Sequence, residues 1–397
     1  FLQKDGYKVT VIDKSDISSG ASFVNAGYIT PSHIVPLAAP GMIAKGIKWM
    51  FNTASPFYIK PRWNIDFFKW AWNFHKSSTK GKVEKAMPVI KKINVISREI
   101  YSSIKKTGDL GDFQWKQDGL LMLYQTNKEE EHETPIAKEA KSMGLDVEFL
   151  NKAQLNTLEP NVSINTKAAI HYKCDGHTTP TELMPKLKQH LLDNGVAFKT
   201  NEEVLDFSME NETISEITTS KSTYQCNEVV IATGSWSGNL AKKLRLNLPV
   251  QAGKGYCIDV TRPTGITLPA ILMEAKVAVT PMKGFTRFAG TMEFSGINDT
   301  IQKKRVQAIA NAVSNFYPEI KITDDEIANA KSGLRPVSPD GLPYIGRTKK
   351  YTNLTIATGH AMMGWSLGPA TGKLVSQIIS GKKTEMDITP FSPDRTF

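Results

Sequence analysis

Phe1-Leu-Gln-Lys-Asp-Gly-Tyr-Lys-Val-Thr-Val-Ile-Asp13 is the stretch on which the fold turns. Its first residues read as the end of a helix, Gly6 as the stop, and residues 9–12 as a buried strand ending in an acid. That order is the second half of a βαβ dinucleotide-binding unit. In such a unit an acid about 20 residues after a glycine-rich turn accepts hydrogen bonds from a ribose. Asp13 is the candidate for that acid. The first strand and the GxGxxG turn would precede Phe1, so this reading expects the phosphate-cradling glycines upstream. Taken alone, the segment also reads as a plain core strand with Asp13 as a solvated turn residue, and the rest of the chain has to decide.

Glu228-Val-Val-Ile-Ala-Thr-Gly234-Ser-Trp-Ser237 is a β-branched strand running into a small-residue turn and then a helix. Thr233 and Gly234 mark a place where a larger side chain would block the close approach of a ligand. The preceding stretch, 195–206, puts Val204 either beside an adenine, pairing through its backbone, or in ordinary core. Further on, Ser332-Gly-Leu-Arg-Pro336 leads into Ser338-Pro-Asp-Gly-Leu-Pro-Tyr-Ile-Gly346, a set of Pro and Gly turn formers around Arg335. A strand over 353–357 then meets Thr358-Gly-His-Ala-Met-Met-Gly-Trp-Ser-Leu-Gly368, with a helix expected over 369–379 and closed by Gly381. Such a turn aims backbone N–H groups and a helix N-terminus at whatever binds there. Gly359, Gly364, Trp365 and Ser366 are therefore cofactor-contact candidates. An ordinary βα connection needs fewer glycines.

The composition narrows the function classes. With 397 residues, 40% hydrophobic and 22% charged, the chain suits two or three globular domains. Its net charge of +10 favours anionic partners: a phosphate-bearing cofactor, a carboxylate substrate or an acidic membrane surface. Zinc-finger spacing and RNA-binding aromatic motifs are missing, so nucleic acid is set aside as a partner. Cys174, Cys226 and Cys257 are sparse and form no CxxC, which suits a reducing, cytoplasmic setting. The histidines show no HxxxH or HExxH, and a metal site has little support. No run of about 18 apolar residues is present to span a bilayer.

On these motifs the sequence resembles the D-amino acid oxidase-like group of FAD oxidoreductases, and within it the small, flavin-bearing subunits of bacterial D-amino acid dehydrogenases. The resemblance runs over nearly the whole chain. It is carried by Val-Ile-Asp13, Asn25-Ala-Gly27, Ala38-Ala-Pro-Gly41, Ile47-Lys-Trp-Met50, Lys254-Gly-Tyr256, Gly333-Leu-Arg-Pro336, Pro339-Asp-Gly341, and Thr358-Gly-His360 with Gly364-Trp365. One stretch departs: Cys174-Asp-Gly-His-Thr-Thr-Pro-Thr-Glu-Leu-Met184 looks closer to glycine-, sarcosine- and hydroxyproline-oxidising relatives.

The resemblance implies a mixed α/β chain with FAD as cofactor. Its FAD-binding Rossmann-like domain would be discontinuous, over 1–35, 176–244 and 333–397. An antiparallel-sheet substrate domain would comprise 36–175 and 245–332, with strands expected over 251–260, 278–281 and 286–292. Residues 125–150 read as a polar helix and connector. Asn25 and Gly27 join the cofactor-contact candidates. Arg335 would hold the carboxylate of a small amino acid in a bidentate pair, which lysine cannot reproduce; the alternative for it is a surface pair with Asp340. Tyr256 is a candidate second donor to that carboxylate. His360 would lie against the flavin, or be a packed, satisfied core histidine. The implied reaction is oxidative deamination of a D-amino acid to a 2-oxo acid by hydride transfer to flavin N5, with electrons passed to a quinone or other respiratory-chain acceptor. Two alternatives stand beside it: an amine oxidase or dehydrogenase of glycine, sarcosine or hydroxyproline type, and a flavin-free, non-catalytic homologue.

Residues 44–85 interleave Trp and Phe with Lys and Arg. An interfacial helix presents that mixture to an anionic bilayer, which would place the protein peripherally on the inner face of the plasma membrane. The same aromatics would equally serve a substrate-domain core.

Overall fold

The computed structural model describes residues 1–41 and 55–397. The Ile47-Lys-Trp-Met50 motif and the first part of the basic aromatic segment, 44–54, lie outside the described residues. The chain is a mixed α/β protein with several sheets. β1 (Thr10–Ile12) pairs in parallel with β9 (Ala197–Lys199). β13 (Val229–Ile231) pairs in parallel with β20 (Leu354–Thr358), and β19 (Tyr344–Arg347) lies antiparallel on the far side of β20. Three-stranded sheets are formed by β10 (Val204–Glu210), β11 (Thr213–Thr219) and β12 (Thr223–Gln225), and by β2 (Tyr28–Ile29), β8 (Gly176–Thr178) and β4 (Trp115–Lys116).

A nine-stranded sheet makes up much of the rest. Its path runs β18 (Lys331–Val337), β14 (Gln251–Val260), β17 (Phe285–Phe294), β16 (Val277–Met282), β15 (Ala270–Leu272), β5 (Leu120–Tyr124), β7 (Ala168–Tyr172), β6 (Val147–Leu150), with β3 (Phe57–Ile59) beside β17. Leu120–Tyr124 is buried along its whole length, as expected of a strand covered on both faces. The helix Lys303–Phe316 covers one side of this sheet, packing Val306, Ile309 and Val313 against Ile258, Val260 and Phe288.

Three local expectations are corrected. Residues 125–150 hold a helix, Asn127–Ser142, but also the strand β6, whose Val147 and Leu150 face the core while Glu148 and Phe149 do not. The opening residues keep only the hydrogen bonds of a last helical turn, Asp5 N–H to Phe1 O (2.9 Å) and Tyr7 N–H to Leu2 O (3.1 Å), closed by Gly6 at φ +88°. The C-terminal helix spans Gly364–Ile379 rather than starting at Pro369. Proline inside a helix removes the bond to the carbonyl four residues back. Here that carbonyl belongs to Trp365, and the Tyr101 hydroxyl donates to it at 2.8 Å, so the helix runs through the proline with no orphaned acceptor.

Candidate active site

The strand ends bring the nucleotide-contact candidates together. Asp13 follows β1, and its Oδ1 accepts from Ser15 N–H (2.8 Å) and Ser15 Oγ (2.7 Å). Its carbonyl accepts from Glu202 N–H (2.9 Å), two residues before Val204 opens β10. Asp13 and Val204 thus lie on adjoining segments. Gly234 turns the chain after β13 with φ +54°. A hydroxyl chain ties that turn to the end of β20. Thr233 Oγ1 and Ser237 Oγ are 3.1 Å apart, Ser237 Oγ donates to Thr358 Oγ1 (2.9 Å), and Thr358 Oγ1 donates to Gly234 O (3.1 Å). Gly359 follows at φ +80°, where a Cβ would come within 2.8 Å of the Tyr344 ring. Between Val11 of β1 and Val230 of β13 opens an apolar cleft of about 350 Å³, backed by Gly364, Gly368 and Gly372 of the C-terminal helix.

A second cluster holds the loop 23–30 against that helix. Asn25 Oδ1 accepts from Gly27 N–H (2.8 Å), and Gly27, at φ +75°, passes so close to β8 that a Cβ would lie 2.2 Å from Thr178 O. Trp365 Nε1 donates to Thr178 Oγ1 (2.8 Å); Ser366 Oγ donates to Asn94 Oδ1 (2.6 Å) and accepts from Thr30 N–H (3.0 Å). The side chains of Trp365 and Ser366 are therefore spent on locking the loop. Only their backbone is available to a cofactor.

Arg287, which sequence reasoning missed, is the clamp between this loop and the large sheet. It is fully buried, pairs bidentately with Asp259 (2.7 and 2.9 Å), and donates through Nη1 to Phe23 O (2.7 Å) and Asn25 O (2.8 Å). An arginine in the largely buried strand Phe285–Phe294 was the available signal. Charges inside a buried strand must be paired.

Arg335 sits on β18 opposite Gly253, and its guanidinium covers Gly255, where a Cβ would lie 2.2 Å from Nη1. Nη1 donates to Thr291 O (2.8 Å). No carboxylate among the described residues forms an ion pair with it. Burial without a compensating acid pulls its pKa down to about 10. The alternative pairing with Asp340 does not occur, because Asp340 is taken bidentately by Arg395 (2.7 and 2.9 Å).

Two candidates are not brought to this point. Tyr256 lies on the other face of β14, in register with Ser332 rather than Arg335. Its hydroxyl donates to Glu293 Oε2 (2.7 Å), and its ring belongs to the core with Ile258 and Val306. The period-two alternation of a strand separates it from Gly253 and Gly255. His360 is buried, bonded through Nε2 to Thr371 Oγ1 (2.9 Å), and pushed down to about 4 by desolvation. It lines the apolar cleft as a neutral ring. The aromatics of 65–77 that the sequence left open between membrane contact and core are in part core. The helix Ile65–Ser77 packs Phe67, Trp70 and Phe74 against Met292, Phe294 and Val337, and Trp70 Nε1 donates to Val337 O (2.9 Å).

Parallel strands ending on an acid and on glycine turns, next to a sheet that carries a half-buried arginine with no acid partner, define a dinucleotide-binding oxidoreductase class. Residues 1–378 match the family model described as DAO, FAD dependent oxidoreductase, and the chain belongs to that family. FAD is its cofactor, and the open, Cβ-free side of Gly234 and the carboxylate of Asp13 fit such a group. A D-amino acid dehydrogenase of Helicobacter pylori (strain ATCC 700392 / 26695) is 30% identical over 395 residues, covering 98% of this chain and 94% of that protein. One from Neisseria meningitidis serogroup C is 28% identical, covering 97% and 93%. Among solved structures, glycine oxidase from Geobacillus kaustophilus superposes with a TM-score of 0.79 at 21% identity, covering 100% of this chain and 94% of that one. The family assignment replaces the flavin-free alternative.

Proposed function

We propose that this flavoenzyme oxidises a small amino acid, of D configuration, and passes the electrons to a quinone or another respiratory-chain acceptor. The observation that carries the reading is Arg335: a desolvated guanidinium with one carbonyl partner and no acid among the described residues, on the strand whose Gly333 packs against Val24 of the loop that the cofactor would touch. A substrate carboxylate supplies the missing counter-charge, and the planar fork fixes its orientation. FAD, when bound, would supply the hydride acceptor for the α-carbon. The amine gives up a proton to solvent, and water converts the released imino acid to a 2-oxo acid and ammonia. The protein's share is to hold the carboxylate at Arg335 and to keep the loop 23–30 rigid through Arg287. The candidates Asp13, Asn25, Gly27, Val204, Thr233, Gly234, Gly359, Gly364, Trp365 and Ser366 remain the proposed cofactor contacts, through backbone at Trp365 and Ser366. The names of the bacterial relatives support the D configuration.

Mixing the FAD-loaded protein anaerobically with D- and L-amino acids, glycine, sarcosine and hydroxyprolines tests the substrate class through bleaching of the visible flavin band. Bleaching by D-amino acids alone is expected. Fastest bleaching by glycine, sarcosine or a hydroxyproline would move the substrate to the alternative suggested by residues 174–184, and none at all would remove amino acids as the substrate class.

The acceptor proposal rests on one surface. The helix Ile65–Ser77 buries Phe67, Trp70 and Phe74 but exposes Trp63 just before it (98%), Phe68 (50%) and Trp72 (60%), with Lys69 and Lys76 alongside. Both readings of this segment therefore have residues to support them. We propose that the exposed face rests on the cytoplasmic leaflet, near a quinone pool. No helix among the described residues is long and apolar enough to cross a membrane. Co-sedimentation with anionic vesicles is expected, weakened at least tenfold by the triple change Trp63→Ser, Phe68→Ser, Trp72→Ser. Equal sedimentation of the two proteins would remove this face from membrane contact.

A further inference from the structure

The helix Lys80–Thr107 turns an apolar face to the helix Gly364–Ile379, with Ala86, Ile90 and Ile93 packed against Leu367, Ala370 and Leu374. Three polar residues interrupt that face: Asn94 and Ser97, both fully buried, and the buried Tyr101. Successive steps of three and four put them on one side of their helix. Polar groups buried between two helices are costly unless each finds a partner. All three find one in the first two turns of the helix opposite.

That is where the second helix cannot hold itself together. Pro369 has no N–H for the Trp365 carbonyl. Tyr101 supplies the donor instead (2.8 Å). Ala370 N–H, the next along, reaches Ser97 Oγ (3.3 Å). Asn94 Oδ1 accepts from Ser366 Oγ (2.6 Å), while its Nδ2 donates to Ile90 O (3.0 Å) in its own helix. Ser366 Oγ accepts in turn from Thr30 N–H (3.0 Å), and Trp365 Nε1 donates to Thr178 Oγ1 (2.8 Å). The turn 364–368 and the loop 23–30 are thus tied to each other and to the helix Lys80–Thr107 through side chains, where the proline removes a rung of the helix ladder. Gly364 and Gly368 line the apolar cleft, so the turn held in this way borders open space.

We infer that Asn94, Ser97 and Tyr101 are positioning residues for the flavin: they fix the angle at which the turn 364–366 presents its backbone N–H groups, and with it the reduction potential. None of the three needs to touch the cofactor. The inference rests on the reading of Gly364, Trp365 and Ser366 as cofactor contacts and deepens it. Reduction adds negative charge to a flavin, and a helix N-terminus stabilises negative charge within about one turn. A turn that tilts away loses that advantage.

The test uses the FAD-loaded protein. The flavin midpoint potential is read by anaerobic titration against a reference dye, and folding by the thermal midpoint. Tyr101→Phe deletes one hydroxyl. It is expected to lower the ratio of reduced to oxidised flavin at a fixed potential about tenfold, a shift of about 30 mV for two electrons. Propionate, a carboxylate without the amine, should bind this variant within threefold of the parent, since Arg335 stands outside these contacts. Pro369→Ala returns an N–H to the Trp365 carbonyl and makes the Tyr101 hydroxyl redundant, so Tyr101→Phe with Pro369→Ala should bring the ratio back to within threefold of the parent. Val313→Ala, in the core of the large sheet, lowers the thermal midpoint elsewhere and should leave the potential unchanged. Gly364→Ala, whose Cβ would rest 3.5 Å from His360 Cβ at ordinary contact distance, reads the cofactor contact itself. A potential moved by Gly364→Ala but not by Tyr101→Phe would overturn the positioning role and leave the contact standing. So would equal shifts in Tyr101→Phe and Val313→Ala, or a Tyr101→Phe shift that persists beside Pro369→Ala. A potential unmoved by both Gly364→Ala and Tyr101→Phe would remove the contact and the positioning role together.

Discussion

Arg335→Met is expected to raise KM for a free amino acid on the order of a hundredfold, with a much smaller change in the limiting rate, and to raise the thermal midpoint of the empty protein. Each charge-assisted hydrogen bond to the carboxylate is worth about 1.5–3 kcal/mol, or roughly ten- to a hundredfold in affinity, and the fork offers more than one. The gain in stability has the opposite origin. A desolvated guanidinium with no acid partner costs the folded state, and an isosteric apolar side chain removes that cost. Arg335→Lys should recover little of the affinity, since an ammonium presents no planar fork.

The pH dependence of the parent follows with a definite sign. The folded pKa of Arg335 is lowered to about 10 from 12.5. The charge is present through neutrality, and propionate affinity should be flat there and fall above about pH 10. The unfolded chain holds more protons between the two values, so this group's destabilisation is full below about pH 10 and fades as pH rises through that window. Spectral titration with propionate and thermal melts of both proteins measure these effects. A KM unchanged in Arg335→Met would remove the carboxylate anchor.

Arg287→Met is the change expected to cost most in stability, about 3–5 kcal/mol. It leaves the half-buried Asp259 without its bidentate partner and takes the donor from Phe23 O and Asn25 O. Burial pushes the Asp259 carboxyl up, but the Arg287 hydrogen bonds and the charges of Arg287 and Lys331 outweigh it, and its pKa ends below the ordinary 3.8. That stabilisation is present above the ordinary value and is lost as pH falls through the folded one. The variant should therefore lose its resistance to acid at a higher pH than the parent. Adding Asp259→Asn should return part of the loss, because it removes a half-buried charge left with Lys331 (3.2 Å) as its ion-pair partner. Urea unfolding at pH 7 and pH 4 reads both effects. A loss under about 1 kcal/mol at pH 7 would mean that the clamp is not what holds the loop 23–30.

Much of the frame was legible in the order of residues. Glycines at turns, an acid closing a strand and β-branched runs are local signals, because backbone sterics and strand propensity act over a few residues. They located β1, β13 and β20, the strands of the large sheet near 251–260, 278–281 and 286–292, and the turns at Gly6, Gly234 and Gly359. They failed where a contact far along the chain overrode the local rule. The helix at 364–379 runs through Pro369 because Tyr101, 268 positions earlier, relieves the freed carbonyl.

The sequence by itself determined the class of fold, the family and the residue types available for a carboxylate site. Which of those residues share a site was decided by tertiary structure. Tyr256 and Arg335 look equivalent as donors in a linear reading, yet strand alternation and the register of β14 with β18 put them on opposite faces. Asp340, close to Arg335 in sequence, belongs to Arg395, while Arg287 joins Asp259 to Phe23 and Asn25 across some 260 positions. Pairing of buried charges depends on the few ångströms over which a desolvated ion needs a partner, and distance along the chain carries no information about that.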